Sequence, residues 1–289
     1  MVLLLVVPAA GADVVIQTGF WAERGLHTAL WSLGICAFFA ALVLLMRAGT
    51  PTAAATGFTV GASLVYSTVP IPFSPIHTGF TPACFVFALA ALATRYGRRE
   101  KEGTGLAEAQ SGRGAAQVAA NLGAAMLFAE PLVRLQLLAL PLNSRSTGSW
   151  TMLLAPSMAA LCEAAGDTVS SEIGQALSLR LGSRFGTRAR LLTTLRPVVP
   201  GTNGGISFYG SLAGMAAALC IALAGSWALQ QGSLFFWLSA AGGVFGLFFD
   251  SLLGATLERK DWLNNDAVNF LSTVAAGIFT LLLMMVPWR

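Results

Sequence analysis

Apolar stretches near the length that lets a helix cross the ~30 Å hydrocarbon core of a bilayer recur along this chain, and they limit what it can become. They are Val2–Gln17, His27–Met46, Thr52–Val69, Thr78–Thr94, Ala115–Leu140, Trp150–Val169, Gly205–Gln230, Ser233–Leu257 and Ala267–Pro287. The first is short, contains Pro8 and Asp13, and could be a signal-like or re-entrant segment instead. The expectation is an all-α polytopic membrane protein. It would be a bundle of eight transmembrane helices, or nine if the first stretch also spans. Residues 1–26 stand apart as an apolar segment of open status, and residues 27–289 form a single polytopic domain with no internal repeat and no linker.

Composition excludes the alternatives. Asp, Glu, Lys and Arg make up 10% of the residues, against about 25% in a soluble domain, while hydrophobic residues reach 55%. So few charges cannot give a chain of this length a polar shell, which rules out a soluble globule, a disordered chain and a nucleic-acid-binding domain. Cys36, Cys84, Cys162 and Cys220 lie singly in apolar stretches, so neither a zinc site nor a disulfide framework is indicated.

The cations set an orientation. The loops after the second, fourth, sixth and eighth stretches hold Arg47, then Arg95 to Arg113, then Arg180 to Arg196, then Arg259 and Lys260. The opposite loops and ends carry only Arg24, Arg145 and Arg289. This positive-inside bias places the even-numbered loops in the cytosol, or in the stroma of a plastid. It also accounts for the net charge of +4 without a polyanionic partner. Plastid membrane, bacterial plasma membrane and endoplasmic reticulum are all compatible with the sequence.

Polar residues in or beside a span are costly and therefore informative, and here they collect toward the even-loop face. Pro200-Gly201-Thr202-Asn203-Gly204-Gly205 is a Gly-rich turn before an apolar stretch, with Arg196 just upstream. Such a turn can aim several backbone N–H groups at an anion, and it lacks the Gly-Lys-Ser/Thr ending of a Walker A loop. Asp167, Ser170 and Ser171, followed by Glu172, put an acid and hydroxyls on one helix face. A divalent cation or a cationic partner would offset the burial of Asp167. Asp250, well inside its span, is a functional candidate by default. Arg113, Gln117 and Asn121 stand four apart on one helix face. Asn264, Asn265 and Asp266 are good capping residues, and Asn269 extends their polar face one turn inward. Glu130 and Arg134 read as an internal ion pair around Pro131, and His27 and His77 as ordinary interfacial residues.

Five ordered motifs, running from about Arg47 to the C-terminus, resemble those of the integral-membrane prenyl-phosphate kinase family. They are Gly112-Arg113…Gln117-Val118…Asn121, Gly166-Asp167-Thr168-Val169-Ser170-Ser171-Glu172-Ile173-Gly174, Val198-Val199-Pro200-Gly201-Thr202-Asn203-Gly204-Gly205-Ile206-Ser207, Gly246…Asp250-Ser251…Gly254-Ala255-Thr256 and Asn264–Ser272. Val169 and Ser170 replace the family's usual Trp and Ala, and Val199 stands where Pro is common; no polar group is lost.

The resemblance implies nucleotide-dependent phosphorylation of a prenyl monophosphate such as phytyl phosphate to the diphosphate, as in tocopherol-type phytol salvage. A more distant similarity to phytol and dolichol kinases suggests CTP as donor. On this reading Asp167, Glu172 and Asp250 are catalytic and bind Mg²⁺, directly or through water. Arg196 and Gly201, Thr202, Asn203, Gly204 and Gly205 hold the nucleotide phosphates. Arg113, Gln117, Asn121, Asn265, Asp266 and Asn269 bind the acceptor. The implied partners are the lipid bilayer, a nucleotide and a prenyl phosphate. The rival expectation is a transporter or channel with a polar path at the helix ends.

Overall fold

The computed structural model describes residues 1–106, 112–143, 149–182 and 186–286. Eleven helices appear among them: α1 (Val2–Arg24), α2 (Leu26–Leu45), α3 (Pro51–Ser67), α4 (Phe80–Arg95), α5 (Arg98–Glu102), α6 (Ala115–Ala129), α7 (Pro131–Leu137), α8 (Ala155–Leu181), α9 (Phe208–Ala228), α10 (Ser233–Thr256) and α11 (Asn265–Met285). Two short strands, β1 (Arg190–Leu191) and β2 (Gly205–Ile206), pair antiparallel between α8 and α9.

Several starts follow from local chemistry. Thr50 Oγ1 accepts the Ala53 N–H at 3.2 Å, and Pro51 opens α3 where its missing N–H costs nothing. Ser207 caps α9 through the Gly210 N–H, and Asn264 caps α11 through the Ala267 N–H. Capping in the Asn264–Asp266 cluster therefore falls to Asn264.

α8 is the central element. From Ala155 to Gly166 every residue is buried, as expected of a helix enclosed on all sides. Small residues let its neighbours come close. A Cβ on Gly214 of α9 would stand 2.6 Å from Gly166 O, one on Gly210 2.7 Å from Ser170 O, and one on Gly246 of α10 2.5 Å from Glu163 Cγ. The resulting core cluster joins α8 to α6, α9, α10 and α11 through residues such as Met126, Leu161, Ile221, Phe235 and Met284.

Among the described residues, five helices are long and apolar enough to cross a membrane: α1, α2, α9, α10 with its short extension, and α11. A sixth is added if α6 and α7 are one span, bent by 62° at Glu130-Pro131. Length and hydropathy thus do not reach the expected eight or nine. α3 has 17 residues and α4 has 16, and the hydropathy of α8 is lowered by Glu163, Asp167 and Glu172.

Three boundaries differ from expectation for physical reasons. The stretch from Ala115 to Leu140 is not one helix, because Pro131 cannot continue it. α8 does not stop at Val169 but runs on to Leu181, since nothing after Val169 breaks a helix; Asp167, Ser170, Ser171 and Glu172 consequently sit within it. The stretch expected from Gly205 starts as strand, and its helix begins at Phe208.

Candidate functional site

α6, α8, α10, α11 and the Pro200–Ser207 loop enclose a polar cavity of about 350 Å³. Residues far apart in the chain meet there: Arg113, Gln117 and Asn121; Asp167, Ser170, Ser171 and Glu172; Gly201 to Gly205; Asp250; Asn265 and Asn269.

Two glycines explain how the motifs come together. Gly204 has φ +72° and lies against the backbone of Gly254 and Ala255 in α10, where any Cβ would overlap Ala255. The Gly-rich loop is thereby seated on α10 just after Asp250. Gly112, also at φ +72°, abuts the Ala48–Gly49 backbone. There the Arg113 N–H donates to Ala48 O and the Thr50 N–H to Arg113 O, at 3.1 and 3.0 Å. Arg113 thus precedes α6 rather than riding on it, pinned by backbone to the α2–α3 turn, and still lines the cavity.

The Asp167 and Asp250 carboxyl groups are electrostatic neighbours in the cavity lining, with Arg113 as the cation that acts on Asp167. Ser272 Oγ donates to Asp250 Oδ2 at 3.1 Å, and Asn269 Nδ2 donates to Asn121 Oδ1 at 3.0 Å. These bonds tie α11 to α10 and α6. Gln117 Oε1 accepts the Gly114 N–H at 2.8 Å, so its carbonyl caps α6.

Glu172 lines the same cavity but already has partners. It forms an ion pair with Lys101 Nζ and accepts a 3.2 Å hydrogen bond from Thr94 Oγ1. Among the described residues no three acidic, His or Cys groups gather as a metal site. Asp167 and Asp250 are the neighbouring carboxylates of the cavity lining, fewer than the six or more oxygens a divalent cation takes. Glu172 stands beside that pair.

Within the Gly-rich loop, the Thr202 and Gly205 N–H groups are used in turn bonds to Val199 O and Thr202 O. Among the described residues the Gly201, Asn203 and Gly204 N–H groups make no such turn bond, so fewer than the full cradle expected could meet an anion. β2 follows the turn, and Ser207, the N-cap of α9, also lines the cavity.

Two expected residues lie outside. Arg196 is exposed on the arm between β1 and β2, where its backbone O accepts the Leu191 N–H, and Asp266 is on the first turn of α11; neither lines the cavity. Among the described residues the Glu130 and Arg134 side chains form no close ion pair either, although the Arg134 N–H donates to Glu130 O at 2.9 Å. Arg134 donates to Ala129 O and Ser67 O and stacks on Trp150, satisfying carbonyls at the bend.

Sequence reasoning also missed three participants. Lys101, 1% exposed, looked like one more cation of a positive loop. Glu163, also 1% exposed, lies one turn before Asp167 and interacts with Asp167, Asp250 and Ser272. Its i−4 spacing from Asp167 was the available signal. Glu258 joins the lining from the turn after α10.

The fold and the site define an integral membrane helical protein with a carboxylate-, amide- and Gly-lined cavity inside its bundle. The chain belongs to the integral membrane protein family DUF92, whose model matches residues 34–277, and the resemblance drawn from the five motifs is borne out at this level. It is 33% identical to the uncharacterized membrane protein sll0875 of Synechocystis over 217 residues, covering 69% of this chain and 73% of that protein. It is 39% identical to the uncharacterized membrane protein MJ0933 of Methanocaldococcus jannaschii over 127 residues, 44% of this chain and 49% of the relative. With the chloroplastic protein VTE6 of Arabidopsis thaliana it shares 28% identity over 210 residues, 71% of this chain and 58% of VTE6. No solved structure matches the chain.

Proposed function

We propose that the protein is a kinase that transfers a phosphoryl group from a nucleoside triphosphate, CTP by the motif resemblance, to a prenyl monophosphate such as phytyl phosphate. An oxygen of the acceptor phosphate attacks the γ-phosphorus, the bond to the bridging oxygen breaks, and the prenyl diphosphate and nucleoside diphosphate leave. The acceptor is already an anion at neutral pH, so the reaction requires positioning and charge neutralisation rather than a general base. The observation that carries the reading is the Asp167–Asp250 pair facing the Gly201–Gly204 loop across one cavity that also holds Arg113.

In this account Asp167 and Asp250 would hold Mg²⁺, which would neutralise charge on the donor phosphates. Gly201, Asn203 and Gly204 present N–H groups to those phosphates, and the Thr202 hydroxyl and Gly205 shape the turn. Arg113, the Gln117 amide, Asn121, Asn265 and Asn269 orient the acceptor phosphate. Glu172, fixed by Lys101, flanks the metal pair. The bundle completes this reading as one polytopic domain in which α3, α4 and α8 also cross, alongside α6 with α7, giving eight spans, or nine with α1. Hydrogen bonds between Asn121 and Asn269 and between Ser272 and Asp250 tie α11 to α6 and α10 beside the cavity.

The test is purified protein in detergent with Mg²⁺, CTP and phytyl phosphate. Diphosphate formation that fails without Mg²⁺ is expected. Substrate flux in proteoliposomes without nucleotide, and no diphosphate with any nucleotide, would replace the kinase with the transporter.

A further inference from the structure

Beside the polar cavity, α2, α3, α4 and α6 enclose a second, apolar cleft. Arg113 and Asn121 line both spaces, so the two meet at the side chains assigned above to the acceptor phosphate. Away from that junction the lining is almost entirely hydrocarbon. Phe39 of α2 packs edge-on against Phe80 and Phe87 of α4, with centroids 5.6 and 5.1 Å apart, and forms one wall. The facing wall is the small-residue face of α3, where Gly57 and Gly61 are one turn apart.

These two glycines differ. A Cβ on Gly61 would meet Phe80 at 3.1 Å, so Gly61 is filled by its neighbour. A Cβ on Gly57 would meet only Val118 Cγ1, at 3.9 Å. Gly57 therefore borders open space where nothing in the packing requires a glycine. The cavity is small, about 90 Å³, and takes part of one hydrocarbon chain rather than a ring system.

We propose that this cleft holds part of the hydrocarbon chain of the anionic amphiphile whose phosphate lies at Arg113 and Asn121, and that the missing side chain at Gly57 sets which chains fit. The inference rests on the kinase reading for the identity of the head group, and on the cleft's own geometry for the tail. Bulk at residue 57 projects into the cleft and removes contacts along the chain, each lost methylene weakening binding about fourfold. A short prenyl phosphate that stays near the junction does not feel the change equally.

The experiment compares wild type, Gly57→Ala and Gly57→Leu on phytyl phosphate and dimethylallyl phosphate. It measures turnover with CTP and, separately, equilibrium binding of each prenyl phosphate without nucleotide. The ratio of kcat/KM for phytyl over dimethylallyl phosphate is expected to fall about threefold in Gly57→Ala and at least about tenfold in Gly57→Leu, mostly through KM, with the binding ratio falling in parallel. Gly57→Ala keeps the test decisive if Gly57→Leu does not fold. Diphosphate formation with an unchanged ratio in both variants overturns the cleft assignment and leaves the kinase standing. No diphosphate in wild type, with phytyl phosphate binding weakened by the substitutions, supports the cleft and removes the kinase. Binding that ignores residue 57 in a protein without turnover overturns both.

Discussion

The Lys101–Glu172 pair offers the most exacting check on how the site is supported. Lys101 is 1% and Glu172 17% exposed, and the Lys101 ammonium also donates to Thr94 O at 3.1 Å. Removing one partner of a buried pair costs about 3–5 kcal/mol because the other charge is left uncompensated. Glu172 borders a polar cavity, is partly exposed and retains Thr94 Oγ1, so the lower part of that range applies, and Lys101→Met should destabilise by about 3 kcal/mol. Glu172→Gln should cost a comparable amount, since it leaves the ammonium buried. In Lys101→Met/Glu172→Gln no unpaired charge remains, so the double variant should be about 2 kcal/mol more stable than the two single losses added together. Lys101→Arg should retain most of the stability. The assay is reversible unfolding in mixed detergent micelles, followed by tryptophan fluorescence, for all members of the cycle. Losses that add to within about 0.5 kcal/mol would refute the buried pair as the anchor of Glu172.

Asp250→Asn should leave unfolding nearly unchanged and lower kcat about a thousandfold, the scale for losing one preorganised electrostatic group; steady-state kinetics at saturating CTP checks this. Gly204→Val should lose turnover and stability together, because a Cβ there overlaps the Ala255 backbone, and a thermal melt would reveal it. Arg196→Ala and Asp266→Ala should behave alike, with KM for nucleotide and for acceptor within about twofold of wild type and stability within about 0.5 kcal/mol, since neither lines the cavity. A tenfold change in KM for either would return that residue to the site.

Much of the site was legible because intramembrane polar residues have few explanations. Asp167, Asp250 and Asn269 stood out from apolar surroundings, and the structure brings them to one cavity together with the Gly-rich loop. Direction was harder to read. Arg196 is five residues from Gly201, yet pairing of β1 with β2 carries it away, a tertiary contact no local spacing announces. α8 runs past the apolar stretch that ends at Val169 because the polar residues that follow stay helical and line a polar cavity. Lys101 was hidden among genuine surface cations, and Glu163 was passed over although it lies one turn from Asp167. The number of spans is not legible from apolar length alone, since α3, α4 and α8 fall short of the length or hydropathy that marks a span by itself.

The most direct test of the central claim follows the phosphoryl group. Purified protein would be given Mg²⁺, CTP labelled at the γ-phosphate, and unlabelled phytyl phosphate, and the position of the label in the product determined. The account predicts label on the terminal phosphate of phytyl diphosphate in wild type, with almost none in folded Asp250→Asn. Label released only as inorganic phosphate, or equal transfer by Asp250→Asn, would contradict it.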